Sequence, residues 1–395
     1  MQAIEIRPNI YWVGAIDWSM RSFHGYQTGR GTTYNAYLIL DEKITLIDTV
    51  KEGFAPELLA RIKSVIDPAK IDYIISSHVE PDHSGAIPFM MKHCTKAKII
   101  TSLPNGEKGL KAHYGDLPYQ GVKAGDSLSI GQRTLQFVPT PMLHWPDTMF
   151  TYMTGENILF STDGFGQHFA SEEMFNDKVD LHEVYSEAMK YYVNILNPYS
   201  PMVTRKIKEI LAMNVPVDMI CPSHGIIWRD NPMQIVETYQ KWANNYQENQ
   251  ITLIYDTMWE STRRMAECIA EGIRQADPDV VIKLMNAAKE DKSDITTEVF
   301  KSKAILVGSP TINYGYAYSI GGIMELIRGL KFKNKKAAAF GSYGWSGEAV
   351  KQITELLQGA GFAVVNDGIR CQWVPDTVHM EECRRFGREF VEGLK

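Results

Sequence analysis

Cysteine is scarce: the chain has only Cys94, Cys221, Cys268, Cys371 and Cys383, and no two of them stand as C-x-x-C. An odd, scattered set excludes a disulfide framework, a zinc ribbon and a rubredoxin-type iron centre. Long apolar runs are missing too, and none approaches the ~20 residues of a membrane span. The opening stretch, MQAIEIRPNIYW, lacks a basic segment followed by an apolar one, so no secretory signal is expected and a reducing cytoplasm fits. Charge of one sign is also lacking. A net charge of −6 over 395 residues gives no nucleic-acid footprint. No G-x-G-x-x-G follows a strand-like run, no Walker motif occurs, and there is neither an internal repeat nor a low-complexity segment.

What is present suits a globular protein, at 44% hydrophobic and 22% charged residues. The length suggests two domains. From residue 250 onward there are 19 Lys+Arg and 19 Asp+Glu, so the whole acidic excess lies earlier. That step places a boundary between residues 1–249 and 250–395, with NNYQENQ (244–250) as the linker. The first part carries short β-like runs (IYWVGAI, YNAYLIL, KITLIDTV), then helical and strand patterns in turn, predicting a sheet sandwich with helices outside. A helix is expected over SGAIPFMMKHC, with Ser84 as its N-cap. The second part alternates strand and helix regularly: ITLIYD, VVIKLMN, KAILVGS, KAAAFGS and FAVVND each precede or follow a helix. Five such strands predict a doubly wound parallel sheet.

HVEPDH, residues 78–83, follows the apolar run YIISS. Imidazole nitrogens and carboxylate oxygens at a strand end are metal donors. His144, Asp163 and His224 each stand just after a further strand-like run. Taken singly, each is most simply a hydrogen-bonded loop residue. Together, on one edge of a sandwich, they form a metal site.

The second part opens with a hydroxyl-rich loop, Thr257, Met258, Trp259, Glu260, Ser261 and Thr262, leading into a helix. Hydroxyls and backbone N–H groups there suit a phosphate. An ordinary helix capped by Ser261 or Thr262 suits the loop equally. Two further loops follow strands near the expected switch in strand order, where ligands bind. One holds Ser309, Pro310, Thr311, Ile312, Asn313, Tyr314 and Tyr316. The other holds Ser342, Tyr343, Gly344, Trp345, Ser346 and Gly347. A hydroxyl-rich first loop on a doubly wound sheet resembles flavodoxin, where it holds the FMN phosphate. Glycines admit a flat ring closely and aromatics stack on it, so with that resemblance the three loops together imply bound FMN.

The downstream separations from His83 are 61, 19 and 61 residues. This pattern resembles the metallo-β-lactamase superfamily, whose usual H-x-H-x-D-H here has Glu80 at its second position. A carboxylate for an imidazole makes the site harder and favours iron over zinc. Joined to a flavodoxin-like part with the loops TMWEST, SPTIN and SYGWSGE, the whole chain resembles the flavodiiron proteins, in the short class without a fused rubredoxin. The resemblance implies an N-terminal metallo-β-lactamase-like αββα sandwich followed by a flavodoxin-like doubly wound five-stranded sheet. It implies two iron ions. His78, Glu80 and His144 would hold one, Asp82, His83 and His224 the other, and Asp163 would bridge them. It implies reduction of O2 to water, of NO to N2O, or both, with electrons from a rubredoxin-like donor through FMN. It also implies a head-to-tail homodimer or a dimer of dimers.

Three further residues, His24, His168 and Tyr192, are candidates to face the open iron positions and supply protons, although ordinary packing is the simpler reading for each. Lys331, Lys333, Lys335 and Lys336 offer a basic rim for an acidic donor, where a solvated loop is the simpler reading. His93, His113, His182 and His379 receive no role. Two rivals stand beside this reading. One is a zinc hydrolase of the metallo-β-lactamase class with an accessory flavodoxin-like domain. The other is a flavin electron carrier with a non-catalytic docking module.

Overall fold

A computed structural model describes residues 1–212 and 214–394. The chain forms two compact units, one of residues 1–191 and 199–243, the other of residues 192–198 and 244 onward.

In the first unit, apolar residues alternate along short strands and are buried from both sides. A seven-stranded sheet runs in the order Ile4–Arg7, Ile10–Trp12, Tyr37–Ile39, Ile44–Ile47, Ile71–Ser76, Lys98–Ser102, Tyr119–Val122. A five-stranded sheet runs Ser127–Ser129, Thr134–Pro139, Met149–Thr154, Ile158–Thr162, Met219–Pro222. Their inner faces meet in one core: Trp12, Ile39, Ile75 and Ile100 pack with Leu135, Phe137, Phe160 and Cys221. The opposite parity of the first sheet, including Leu38, Leu46, Ile74 and Ile99, packs with helical residues Leu58, Ile62, Met90 and Leu110. Period-2 burial on both faces is what a sheet needs when another sheet lies on one side and helices on the other. The αββα sandwich expected from the sequence is therefore present.

The second unit is a parallel sheet in the order Val281–Asn286, Glu248–Tyr255, Ser302–Pro310, Lys336–Tyr343, flanked by helices. The expected fifth strand is split. Ala363–Val364 and Ile369–Gln372 each pair in parallel with Lys336–Tyr343, one after the other. The break contains Gly368 at φ 80°, where an added Cβ would meet the Ala339 carbonyl at 2.4 Å. Only glycine accommodates both demands.

Several boundaries differ from the sequence reading. The strand after the linker begins at Glu248, and the units divide at 243/244 instead of 249/250. The helical stretch after residue 180 is interrupted by a π-turn, Tyr192–Leu196, whose residues belong to the second unit. Ser84 ends a short helix, Pro81–Ser84, instead of capping the next one.

The lysine loop also differs. Lys331 and Lys333 are exposed. Lys335 is buried, and its Nζ donates to the carbonyls of Phe300 (2.8 Å), Ser302 (2.5 Å) and Tyr246 (3.4 Å). Lys336 donates to the Gly393 carbonyl. Two of the four lysines are thus occupied by the backbone, which shrinks the basic rim.

Burial pushes the Lys335 ammonium down to about 7, from an unperturbed 10.5. Across that window the unfolded chain binds more protons than the folded one, so this residue makes stability rise with pH. Lys335→Met would leave buried carbonyls without a donor and cost about 1–3 kcal/mol. Urea unfolding at pH 7 and pH 9 should show the wild type gaining on the variant at the higher pH. An unchanged gap would contradict the depressed pKa.

Candidate functional site

The strand Ile71–Ser76 delivers His78 and Glu80 in extended chain. Pro81 then opens the four-residue helix that turns Asp82 and His83 inward. The loop is held on both sides. Ser77 N–H donates to Asp48 (2.7 Å) and Val79 N–H to Asp147 (2.6 Å). His144 comes from the loop before Met149–Thr154, Asp163 from the end of Ile158–Thr162, and His224 from the end of Met219–Pro222.

These seven side chains meet in two groups. His78, Glu80, His144 and Asp163 form one; Asp82, His83 and His224 form the other. Within each group one ligand atom per residue lies within 4.8 Å of all the others. Asp163 faces both. Its Oδ2 is 3.5 Å from His78 Nε2 and 3.4 Å from His144 Nε2, while its Oδ1 is 3.0 Å from His83 Nε2 and 3.5 Å from His224 Nε2.

The arrangement is made for cations. Both oxygens of Asp82, both oxygens of Asp163, both ring nitrogens of His83 and Nε2 of His224 are buried and lack a hydrogen bond. Several of them lie at ion-pair distances from one another without hydrogen-bond alignment. Buried polar atoms left so are costly, and a metal ion in each group satisfies them. Mixed imidazole and carboxylate donors suit iron.

Burial alone would push the His78 imidazole down, but the carboxylates of Asp147 and Glu80 outweigh it and hold it up at about 10. His144 is likewise held up at about 10 by Asp163 and Glu80, and His83 at about 9 by Asp82 and Asp163. Glu80 and Asp163 stay far below the usual carboxylate range despite burial, held there by the surrounding histidines.

The supporting contacts fix which nitrogen faces the metal. His78 Nδ1 lies 3.0 Å from Asp147 Oδ2, so Nε2, 3.1 Å from Glu80 Oε2, is the nitrogen that faces the cluster. His224 Nδ1 donates to the Thr33 carbonyl at 2.7 Å, with the same result. Asp147 was missed from the sequence, although the run HWPD places it three residues after His144.

Of the three candidates to face the open metal positions, two lie at the cluster. His24 is largely exposed and its Nε2 contacts the Glu80 carboxylate, whose hydrogen bond raises the imidazole pKa against partial burial. His168 is buried 4.8 Å from the His224 ring. Its Nδ1 is 2.8 Å from Thr32 Oγ1, its Nε2 has no partner, and burial keeps it neutral. Tyr192 is elsewhere: its buried ring packs 6.0 Å from Phe300 in the second unit. The tyrosines at the cluster are Tyr191, 5.0 Å from His168 and 6.2 Å from His224, and Tyr34, 6.1 Å from His224.

In the second unit, the three expected loops lie together at the carboxyl ends of the parallel strands. Thr262 Oγ1 is 2.9 Å from Ser342 Oγ, Thr311 N–H donates to the Ser342 carbonyl (2.8 Å), and Gln352 donates to the Tyr314 carbonyl. Neither Ser261 nor Thr262 caps the helix Ser261–Ala276. Glu260 holds the cap position at φ 66° and its side chain bonds none of the first N–H groups. Thr257 Oγ1 is buried without a partner nearby. Uncapped N–H groups and a free hydroxyl fit a phosphate.

Met258, Trp259, Tyr314 and Trp345 are exposed on these loops, Trp259 by 82%. Asn313 and Tyr314 take positive φ in a tight turn closed by the bonds between Ile312 and Gly315. Ser309 is buried and accepts from Ala317 N–H, so it braces the loop from beneath. Tyr316 packs beside Gly321. Trp373, exposed at φ 62° beside Gly344, adds a fourth loop that sequence reading missed because the fifth strand is split.

A buried two-metal cluster on an αββα sandwich, joined to a flavodoxin-type sheet with an anion-ready first loop, defines a flavin- and metal-dependent redox protein. A family model described as ODP family beta lactamase matches residues 32–225, and one described as flavodoxin matches residues 253–387. An anaerobic nitric oxide reductase flavorubredoxin of Salmonella paratyphi B is 50% identical over 98% of this chain and 82% of its own length. A solved rubredoxin oxygen:oxidoreductase of Desulfovibrio gigas superposes with TM-score 0.96 at 41% identity, over 100% of this chain and 98% of that one. The flavodiiron protein of Giardia intestinalis gives 0.95 at 34%, over 100% and 97%. The chain belongs to the flavodiiron protein family. It is an oxidoreductase whose cofactors are FMN and a diiron centre.

Asp147→Asn should weaken iron binding about 10–100-fold, by loosening the His78 ring and removing its carboxylate partner. Iron titration of the apo-protein followed by isothermal calorimetry checks this. Affinity within twofold of wild type would contradict it.

Proposed function

We propose that this chain reduces nitric oxide to nitrous oxide, with dioxygen as the second substrate. Nitric oxide comes first because the 50% identical Salmonella protein is named an anaerobic nitric oxide reductase. The observation that carries the two-iron chemistry is Asp163, with one oxygen toward each donor group. His78, Glu80 and His144 would hold one iron and Asp82, His83 and His224 the other, with Asp163 between them. When bound, the iron pair supplies adjacent open coordination positions and two electrons, and reduced FMN supplies two more. The residues do the rest. Asp147 and the Thr33 carbonyl orient His78 and His224. Phe23, Tyr191 and His168 form a close-packed wall against His224 that limits water. His24, reachable from solvent and in contact with Glu80, is placed to carry protons inward. Oxygen reduction enters as a second reading because the 41% identical Desulfovibrio gigas protein is titled an oxygen oxidoreductase.

For the flavin, Thr257, Ser261, Thr262 and the first N–H groups of their helix would hold the FMN phosphate, and Trp259, Tyr314, Tyr343 and Trp345 would flank the ring. Electrons would come from a rubredoxin-like donor, as the name of the Desulfovibrio gigas protein indicates for that relative. Lys331 and Lys333 remain free to steer an acidic donor. A head-to-tail homodimer, alone or paired, would bring one protomer's flavin to its partner's irons. The exposed apolar side chains on the flavin-side loops support a buried contact there. All five cysteines are free and buried, which suits the cytoplasm. Among the described residues no helix is long and apolar enough to cross a membrane.

The protein is reduced anaerobically and gas uptake is followed on NO and O2 electrodes in parallel. NO consumption with N2O formation, faster than O2 uptake and abolished by iron removal, is the expected result. Faster O2 uptake would reverse the order of substrates. No uptake of either gas by the reduced, iron-loaded protein would overturn the proposal.

A further inference from the structure

We infer that the first unit contains a second binding site, an apolar cavity that takes up small uncharged gas molecules. The identity of the gas rests on the reductase reading above; the existence of the site does not.

The cavity has a volume of about 130 Å³. It lies between the strands Ile158–Thr162 and Met219–Pro222 and the helices Ser200–Ala212 and Met233–Ala243. Leu159 and Ile220 have the parity opposite to Phe160 and Cys221, which fill the core between the sheets. They therefore face the helices, where Ile207 and Val236 leave the space unfilled. Among the described residues the wall contains no charged group, and Asn214 is its one polar member. The inner end, at Leu159, Phe165 and Ile220, is buried, while Leu211 at the outer end is 43% exposed. The cavity thus leads from the surface inward.

Its chemistry selects the occupant. Its lining is mainly apolar, and a Leu/Ile/Phe-lined cavity of ~150 Å³ binds xenon or benzene. Nothing in the walls would hold an anion, a sugar or a nucleotide. NO and O2, like xenon, have no strong hydrogen-bonding group and are held by dispersion in such a space.

The position gives the site a use. Both floor strands end in cluster residues, Asp163 after one and His224 after the other. Phe165, two residues beyond Asp163, forms part of the inner wall. Its ring lies 4.9 Å from Tyr239 and 6.3 Å from Phe150, and its carbonyl accepts from Trp228 Nε1 at 2.9 Å. Gas held there sits against the loop that carries Asp163, and delivery from it toward the cluster is the use inferred for the site.

The full chain is titrated with xenon and followed by xenon NMR, with and without iron and FMN. Two variants fill the cavity: Val236→Phe from the inner helix, and Leu211→Trp at the exposed mouth, where misfolding is not a concern. Saturable xenon binding in the wild type, lost in the variants, is expected. The loaded variants should then show a KM for the gas raised about three- to tenfold with kcat within about twofold. No saturable xenon binding in the wild type would overturn the site. An unchanged KM in a folded variant that no longer binds xenon would overturn its role in supply. Xenon binding in a wild type that consumes neither gas would overturn the reductase reading and the identity of the gas, while the apolar site would stand.

Discussion

Asp163 is the constraint on which the first unit turns. It is buried, and each of its oxygens faces a different set of imidazoles. A carboxylate in that position needs positive charge on both sides, because an isolated buried charge is far too costly to keep. Four histidines and two further carboxylates have to arrive within a few ångströms, each from the end of a strand or the loop beside one. The register of both sheets follows from this demand. A one-residue slip of Ile158–Thr162 would send Asp163 to the opposite face. The sandwich core of Ile75, Phe160 and Cys221 holds that register, so apolar packing places the ligands while metal binding neutralises them.

The second unit solves a milder problem with the same device. Ligand-facing groups again sit after parallel strands, at the edge where the strand order changes direction. Here the anion would come with the ligand, and the loop offers an uncapped helix start and an unpartnered hydroxyl of Thr257. The two sites are therefore complementary in charge logic. One gathers buried carboxylates for cations, and the other presents donors for a phosphate.

Much of this was legible in the chain. His78, Glu80, Asp82, His83, His144, Asp163 and His224 could be read because each follows an apolar run, and strand ends collect on one edge of a sheet. The three loops that gather after the parallel strands of the second unit could be read for the same reason. Other features depend on what the sequence does not encode locally. Tyr191 and Tyr192 are adjacent, but neighbouring helical residues point about 100° apart, and a π-turn beginning at Tyr192 carries the chain into the other unit. Lys335 sits in a run that looks solvated, yet its strand start is buried and three carbonyls take its ammonium. Trp373 stayed hidden because Gly368 splits the last strand, and Asp147 because a supporting carboxylate carries no spacing rule of its own. The domain boundary shifted for a simpler reason: NNYQENQ is polar, but its end already pairs in the sheet.

The most direct measurement is Mössbauer spectroscopy of the iron-reconstituted chain beside Asp163→Asn. A carboxylate bridge between two filled groups predicts two irons per chain, magnetically coupled in the wild type and uncoupled or halved in number in the variant. A wild type that takes up zinc in preference, or holds a single iron, or shows two irons without coupling, would contradict a bridged pair and return the cluster to hydrolytic chemistry.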